Sequence, residues 1–209
     1  MTTLGNNVGK IPVTISVPST TRTTLTALKP YFAKERERVR AHELANTRGL
    51  TGREARARRD LWEEEKARLR RAGELADSIE ALVTGGVVQE IETRGWNKDW
   101  PTQPRQSRGR WPGSPNPAGP AAISVRLPVD LVLTVRAGCW AACGKEVGLL
   151  SDWRDRYPDA RPNRPHRPGC DTDALAEYHR LAARIITPGE VWRAALVHGL
   201  SRIEQQVVR

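Results

Sequence analysis

A chain of 209 residues with 38% apolar content has room for one or two small domains and a modest core. The formal net charge is +10, from 34 Lys and Arg against 24 Asp and Glu. This favours an anionic partner such as nucleic acid or an acidic membrane surface, and the excess of Arg over Lys suits bidentate contacts to phosphate or guanine, although a GC-rich genome produces the same bias. No window approaches the roughly 18 to 20 apolar residues of a membrane span and the start MTTLGNNVGK lacks the apolar centre of a signal peptide. A cytoplasmic protein with no membrane partner is therefore expected, and three Cys in a reducing compartment argue against a disulfide framework.

After a polar tail, KIPVTISVP alternates Val13, Ile15 and Val17 with Thr14 and Ser16, the period of a short strand. Pro18 and Ser19 open a helical run with a Thr-rich start and a charged second half, which Pro30 kinks or restarts. Gly49 and Gly52 break it, and Thr51 with Glu54 forms a capping box. From there a long helix is predicted as far as Val83. Trp62, Leu69, Ala76 and Val83 recur at sevens on it, with Ala72 and Ile79 between, a stripe for one partner helix or a short coiled coil. Thr84, Gly85 and Gly86 should stop it, and VVQEIE reads as a small edge strand.

Residues 94–121 are rich in Pro, Gly, Arg and Trp without periodicity and read as a linker. Arg105, Arg108 and Arg110 lie there, with Trp96, Trp100 and Trp111 in or beside the same segment. Either the cations and rings track a phosphate backbone and stack on bases, or the rings pack the linker onto the domains.

In AAISVRLPVDLVLTVRAG, Ile123, Val125 and Leu127 alternate with Ser124 and Arg126, and Pro128 then starts a helix running to at least Gly144. Leu131, Val135, Cys139 and Cys143 step by four along it. SDWRDRYPDARPNRPHRPGC reads as irregular. Asp171 or Thr172 caps a helix DALAEYHRLAARI, and Thr187 starts another, with Pro188 in its first turn, Glu190 completing a capping box, and Val191, Ala195, Leu196 and Leu200 on its buried face.

Together ISVRLP, the amphipathic helix from Pro128 and the capped run TPGEVWRAALVHGL resemble the ribbon-helix-helix family of DNA-binding proteins, over about 40 residues. The resemblance implies a mainly α fold with a short two-stranded antiparallel ribbon, a ribbon-helix-helix-like core with a long helical arm and an insertion over residues 145–185. It implies that Ile123, Val125 and Leu127 face the helices while Ser124 and Arg126 face the bases. It also sets the amino end of the second helix, here Thr187, Gly189 and Glu190, against a phosphate. The chain departs from the family where some forty residues, instead of a short turn, separate the two helices.

VTISVP (residues 13–18) aligns with ISVRLP (123–128) without a gap, and each precedes a helical run, a break and a Thr-x-x-Glu box, in LTGREARARRDL and ITPGEVWRAAL. Two divergent halves are therefore expected: residues 1–93, a strand with a helical hairpin or arm, and residues 122–209, separated by the linker. Their strands would pair within one chain and expose Thr14, Ser16, Ser124 and Arg126 together. Otherwise the second strand pairs with its copy in a homodimer.

Cys139, Cys143, His166 and Cys170 form C-x3-C followed by H-x3-C, which fits either a structural zinc or buried reduced thiols continuing an apolar stripe. No cofactor apart from such a zinc is expected. GVVQE and GPAA lack the spacing and Lys of a phosphate loop. His42, His179 and His198 have no evident nucleophile nearby, and Asp152, Asp155 and Asp159 sit beside Arg154 and Arg156 as solvated charge pairs. A catalytic role is not expected. The function expected is sequence-specific binding of double-stranded DNA, as a transcriptional repressor or an accessory factor of a plasmid or other mobile element. The alternatives are a protein-protein adaptor acting through the helix over 62–83, and a sequence-tolerant single-strand binder built on the linker.

Overall fold

Strand β1 (Lys10–Val17) pairs antiparallel with β2 (Ala121–Pro128), placing Pro12 opposite Arg126, Val13 opposite Val125 and Thr14 opposite Ser124. The structure, a computed structural model, describes residues 9–100, 121–160, 162 and 171–207. Because side chains alternate across a strand, one face of this ribbon carries Val13, Ile15, Val17, Val125 and Leu127, all buried, and the other carries Thr14, Ser124 and Arg126, all exposed. The strands pair within one chain, so the ribbon needs no second copy to satisfy its inner backbone groups.

Helix α1 (Ser19–Ala27) follows β1 and gives way at Leu28 to α2 (Lys29–Thr47), whose first turn holds Pro30, where the missing N–H costs nothing. A short turn leads into α3 (Gly52–Ala72), which packs alongside α2 as a hairpin arm. The Thr51 amide and hydroxyl both donate to Glu54 Oε2, at 3.0 and 2.6 Å, which is the expected capping box.

The long helix expected to reach Val83 is two helices. Gly73, at φ 70°, ends α3 in the left-handed conformation that favours glycine. After a short connection containing Ala76, α4 (Ile79–Thr93) starts afresh, with Ser78 Oγ accepting from the Ala81 amide at 3.1 Å. Nor do Thr84, Gly85 and Gly86 stop a helix, and VVQEIE is not a strand: all lie inside α4. A Cβ on Gly86 would stand 1.9 Å from the carbonyl oxygen of Ala195 on α7 (Pro188–Val207), and one on Gly85 would stand 2.7 Å from Gly73 Cα. The two glycines permit close backbone approach and do not signal termination.

Helix α5 (Val129–Arg156) is longer than expected, because SDWRDR continues it. Helix α6 (Thr172–Ala182) has Asp171 as its cap, accepting from the Asp173 and Ala174 amides at 2.9 and 3.2 Å. The Trp153 indole donates to Ala174 O at 2.8 Å and fastens α6 to α5. The main core lies between the ribbon and the crossing of α4 with α7, where Val83, Val87, Leu127, Val135, Val191 and Leu196 are almost wholly buried.

The crossing and the ribbon share a simple geometric relation. A shift of 110 positions superposes VTISVP on ISVRLP and carries Thr14 to Ser124, the residue it faces. A shift of 109 positions carries the helix cap Ser78 to the helix cap Thr187, and Gly86 to Ala195, the residue it touches. In both cases an element meets the segment that the shift aligns with it. By this shift α7 falls on α4, whereas the alignment of capping boxes sets it on α3.

Candidate nucleic-acid interface

The outer face of the ribbon exposes Pro12, Thr14, Ala122, Ser124 and Arg126, with Ser16 half-buried at the end nearer α1. All four ribbon residues expected from the sequence, Thr14, Ser16, Ser124 and Arg126, thus lie on one surface. Side chains two apart on a strand are separated by about 6.8 Å, close to two base-pair rises, and adjacent strands by about 4.8 Å. Among the described residues no helix covers this face. Arg126 makes no ion pair among the described residues and has five N–H donors to offer.

The helix-end contact is not built as the resemblance implies. Thr187 is 2% exposed, its amide donates to Glu190 Oε2 at 2.6 Å, and the Glu190 amide returns a bond to Thr187 Oγ1 at 3.3 Å. The Glu190 carboxylate therefore already occupies the position an anion would take at the amino end of α7, and Gly189 is half-buried beside it.

A different cationic site, missed in the sequence, lies at the amino end of α4. Lys10, Arg36, Arg70 and Arg71 line a cavity of about 450 Å³ together with Ser78, Ala81 and Pro128. Lys10 pairs with Glu80 at 2.8 Å, Arg70 grips buried Asp77 through two nitrogens, Arg71 pairs with Asp130 at 2.8 Å, and Arg36 donates to Asp77 O. Lys10 and Pro128 are the terminal pair of the ribbon, so this cavity abuts one end of it. Asp77 and Ser78 before IEALV were the available signal, an N-cap hidden by the heptad spacing that runs through it.

Arg105, Arg108, Arg110 and Trp111 lie outside the described residues. Trp96 is buried and Trp100 packs against the core, so those two rings serve packing. A Cβ on Gly138 would stand 2.3 Å from the Trp96 ring, which explains that glycine in α5.

Of the four residues considered for zinc, His166 and Cys170 lie outside the described residues. Cys139 and Cys143 extend the buried stripe of Leu131 and Val135 but belong to two different apolar clusters. Burial pushes the Cys139 thiol up to about 12, and Cys143 Sγ accepts from the Ile186 amide at 3.0 Å. Among the described residues no three His, Cys, Asp or Glu side chains are grouped to hold a metal.

The three described histidines each have a defined neighbour. His198 Nε2 lies 2.6 Å from Glu90 Oε1, while Arg94 Nε donates to Glu90 Oε2 at 2.7 Å, a polar bridge between α4 and α7. His42 lies against Trp62 with ring centroids 4.3 Å apart, and His179 meets Tyr178 edge-on. Asp152 and Asp155 sit on the last turns of α5, where Arg156 pairs instead with Glu177 at 2.8 Å. No described helix is long and apolar enough to cross a membrane. Comparison with known protein families, with curated proteins and with solved structures returns no match.

Proposed function

We propose that the protein binds double-stranded DNA sequence-specifically by laying its ribbon in the major groove, in a non-catalytic role as a transcriptional repressor or an accessory factor of a plasmid or other mobile element. The observation that carries this is the ribbon itself: two antiparallel strands with one face sealed on helices and the other exposed, polar and led by Arg126, which has no ion pair among the described residues. A two-stranded ribbon fits the groove, about 12 Å wide, and Thr, Ser and Arg side chains supply the donors and acceptors that read base edges there. The resemblance to the ribbon-helix-helix family supports the same assignment, with the two halves lying in one chain as divergent duplicates. The net charge of +10 supplies the backbone affinity that positions the ribbon without selecting sequence.

The test is selection of bound duplexes from a random pool, followed by competition between the selected and a scrambled duplex. Arg126→Ala is expected to lower the preference by about 1 to 3 kcal/mol, roughly 5- to 150-fold, if Arg126 reads a guanine. An unchanged preference refutes that role, and absence of any enrichment refutes the groove-reading function.

The adaptor alternative finds support in a groove of about 460 Å³ on the arm, lined by His42, Leu61, Trp62 and Leu69. The Trp62 indole nitrogen is buried there and has no hydrogen-bond partner among the described residues. Binding through this groove would be nearly indifferent to salt, whereas duplex binding falls steeply with it. The single-strand alternative rests on the linker, and deletion of residues 103–117 would abolish that activity while sparing the ribbon.

A further inference from the structure

The hairpin of α2 and α3 plays no part in groove reading, yet it holds most of the protein's excess charge. Residues 29–72 contain fourteen Lys and Arg against eight Asp and Glu, a net +6 out of the chain's +10. On α3 the pairing of those charges is polarised along the helix, while Lys29 and Lys34 at the root of α2 are exposed and form no ion pair among the described residues. Near the root, Arg70 is held by Asp77, Arg71 by Asp130, Arg68 by Glu65 and Lys66 by Glu63. Toward the turn, Arg40, Arg48, Arg53, Arg56 and Arg59 are exposed and form no ion pair among the described residues. Glu54 in their midst is committed to capping Thr51. Arg53, Arg56 and Arg59 recur at threes, so they share one side of α3, an arrangement that destabilises a free helix through like-charge repulsion. The equivalent insertion in the other half, residues 144–186, has eight Lys and Arg against seven Asp and Glu. The two inserted segments therefore differ in local charge, +6 against +1, while residues 1–93 and 121–209 taken whole carry +3 each.

We propose that the turn end of this hairpin is a second binding surface, specific for the phosphodiester backbone of double-stranded DNA and indifferent to sequence. The inference rests on the groove-reading function and extends it: an antiparallel ribbon lies almost equally well either way round on its site, and one cationic arm selects a direction. The 21 residues of α3 rise about 32 Å at about 1.5 Å each, the length of roughly nine base pairs. The arm is thus long enough to clasp the flank of the bound duplex, or a second duplex beside it.

The experiment compares the full chain with the variant Arg48→Gln, Arg53→Gln, Arg56→Gln, Arg59→Gln on a selected duplex of about 16 base pairs and on the same site embedded in about 40, across a salt series. Each lost phosphate contact lowers the slope of log K against log salt by about 0.9, so a loss of three or four contacts lowers it by about 3. Affinity is expected to fall by about 10-fold or more, with the preference for the selected sequence unchanged. A loss confined to the longer duplex assigns the contact to the flank. A loss of energy transfer between two differently labelled short duplexes assigns it to a second duplex. If slope, affinity and duplex pairing all match those of the unaltered protein, the arm proposal is overturned while groove reading stands, because that is tested separately at Arg126. Should the unaltered protein bind no duplex, both fall. Weakened binding to phosphatidylserine vesicles with DNA affinity intact also overturns the proposal, in favour of a membrane contact. Because the four side chains are exposed and three of them repel one another, the melting temperature should not fall. If the quadruple variant does melt early, Arg53→Gln with Arg56→Gln repeats the measurement with an expected slope change of about 2.

Discussion

Gly86 sits where α4 crosses α7, and replacing it with Ala tests the geometry on which the ribbon stands. The added Cβ would lie 1.9 Å from Ala195 O and 2.7 Å from Ala195 C, both backbone atoms in the middle of a helix, so no side-chain rotation relieves the contact. The helices must separate locally by roughly 1 Å to restore a tolerable contact, in an interior packed at crystal density. Overpacking of this kind costs about 1 to 3 kcal/mol and occasionally more, while the better helix propensity of Ala offsets about 1 kcal/mol. With backbone on both sides of the clash, a net loss of about 2 kcal/mol is expected. For a chain of this size that lowers the melting temperature by about 4 to 8 °C. The control is Gly148→Ala on the exposed side of α5, where a Cβ meets nothing within 4 Å. The same chemical change should there raise stability by about 0.5 to 1 kcal/mol. Thermal melts followed by circular dichroism decide between the two signs, and a Gly86→Ala protein as stable as the unaltered chain refutes the helix crossing as drawn.

Glu90→Gln keeps the shape of the bridge between α4 and α7 but removes the charge that Arg94 and His198 meet. A loss of about 1 to 2 kcal/mol in urea unfolding is expected, and a neutral result shows the bridge to be dispensable. Cys139 has its thiol raised from 9.0 to about 12, first by burial and then by Cys143. The thiol stays neutral in the folded protein while it ionises in the unfolded chain. Its contribution to stability is therefore complete below about pH 9 and declines as pH rises from there toward about 12. Comparing urea midpoints at about pH 8 and about pH 10.5, Cys139→Ala should lose less on the alkaline side than the parent; equal losses rule out this burial effect. Finally, fragments 1–100 and 121–209, produced separately, should each lack a cooperative melt and should recover one on mixing, because β1 pairs with β2 and α4 packs on α7 across the break. Independent cooperative melting of either fragment contradicts the interlocked core.

The ribbon was legible because its signal is local. Alternation over residues 13–17 and 123–127 fixes which side chains are buried, and the gapless match between the two segments brings them together. The same holds for the caps at Asp171 and Thr187, where a short polar side chain accepts from an amide two or three residues on, and at Thr51, whose amide and hydroxyl donate to Glu54. What misled was sequence whose meaning is tertiary. Gly85 and Gly86 look like a stop until α7 is seen passing within reach of their missing Cβ atoms. Once α4 is broken there, VVQEIE becomes too short for anything but a strand. The heptad spacing of Trp62, Leu69, Ala76 and Val83 ran straight across Gly73 and Ser78, which are the real end and the real cap. Thr187, nominated as a phosphate contact, is 2% exposed because Val191 and its neighbours draw that end of α7 into the core, a placement no local pattern records.

Folding both strands of the ribbon from one chain has a consequence that a homodimer denies. In a dimer of identical chains every substitution on the groove face appears twice, and the site read is obliged to be a palindrome. Here the positions related by the 110-residue shift differ: Pro12 falls on Ala122, Thr14 on Ser124, and Ser16 on Arg126. The central pair keeps a hydroxyl on both strands, so the difference is greatest away from the centre. One end of the ribbon carries a guanidinium able to grip guanine bidentately, and the other a serine that accepts several bases. On the proposed function, the two half-sites are therefore read with unequal strictness. Ser16→Arg restores the equivalence, and duplexes selected by that variant should shift toward a palindrome with a guanine in both halves. If the selected site stays the same, Ser16 and Arg126 do not occupy related places over the groove.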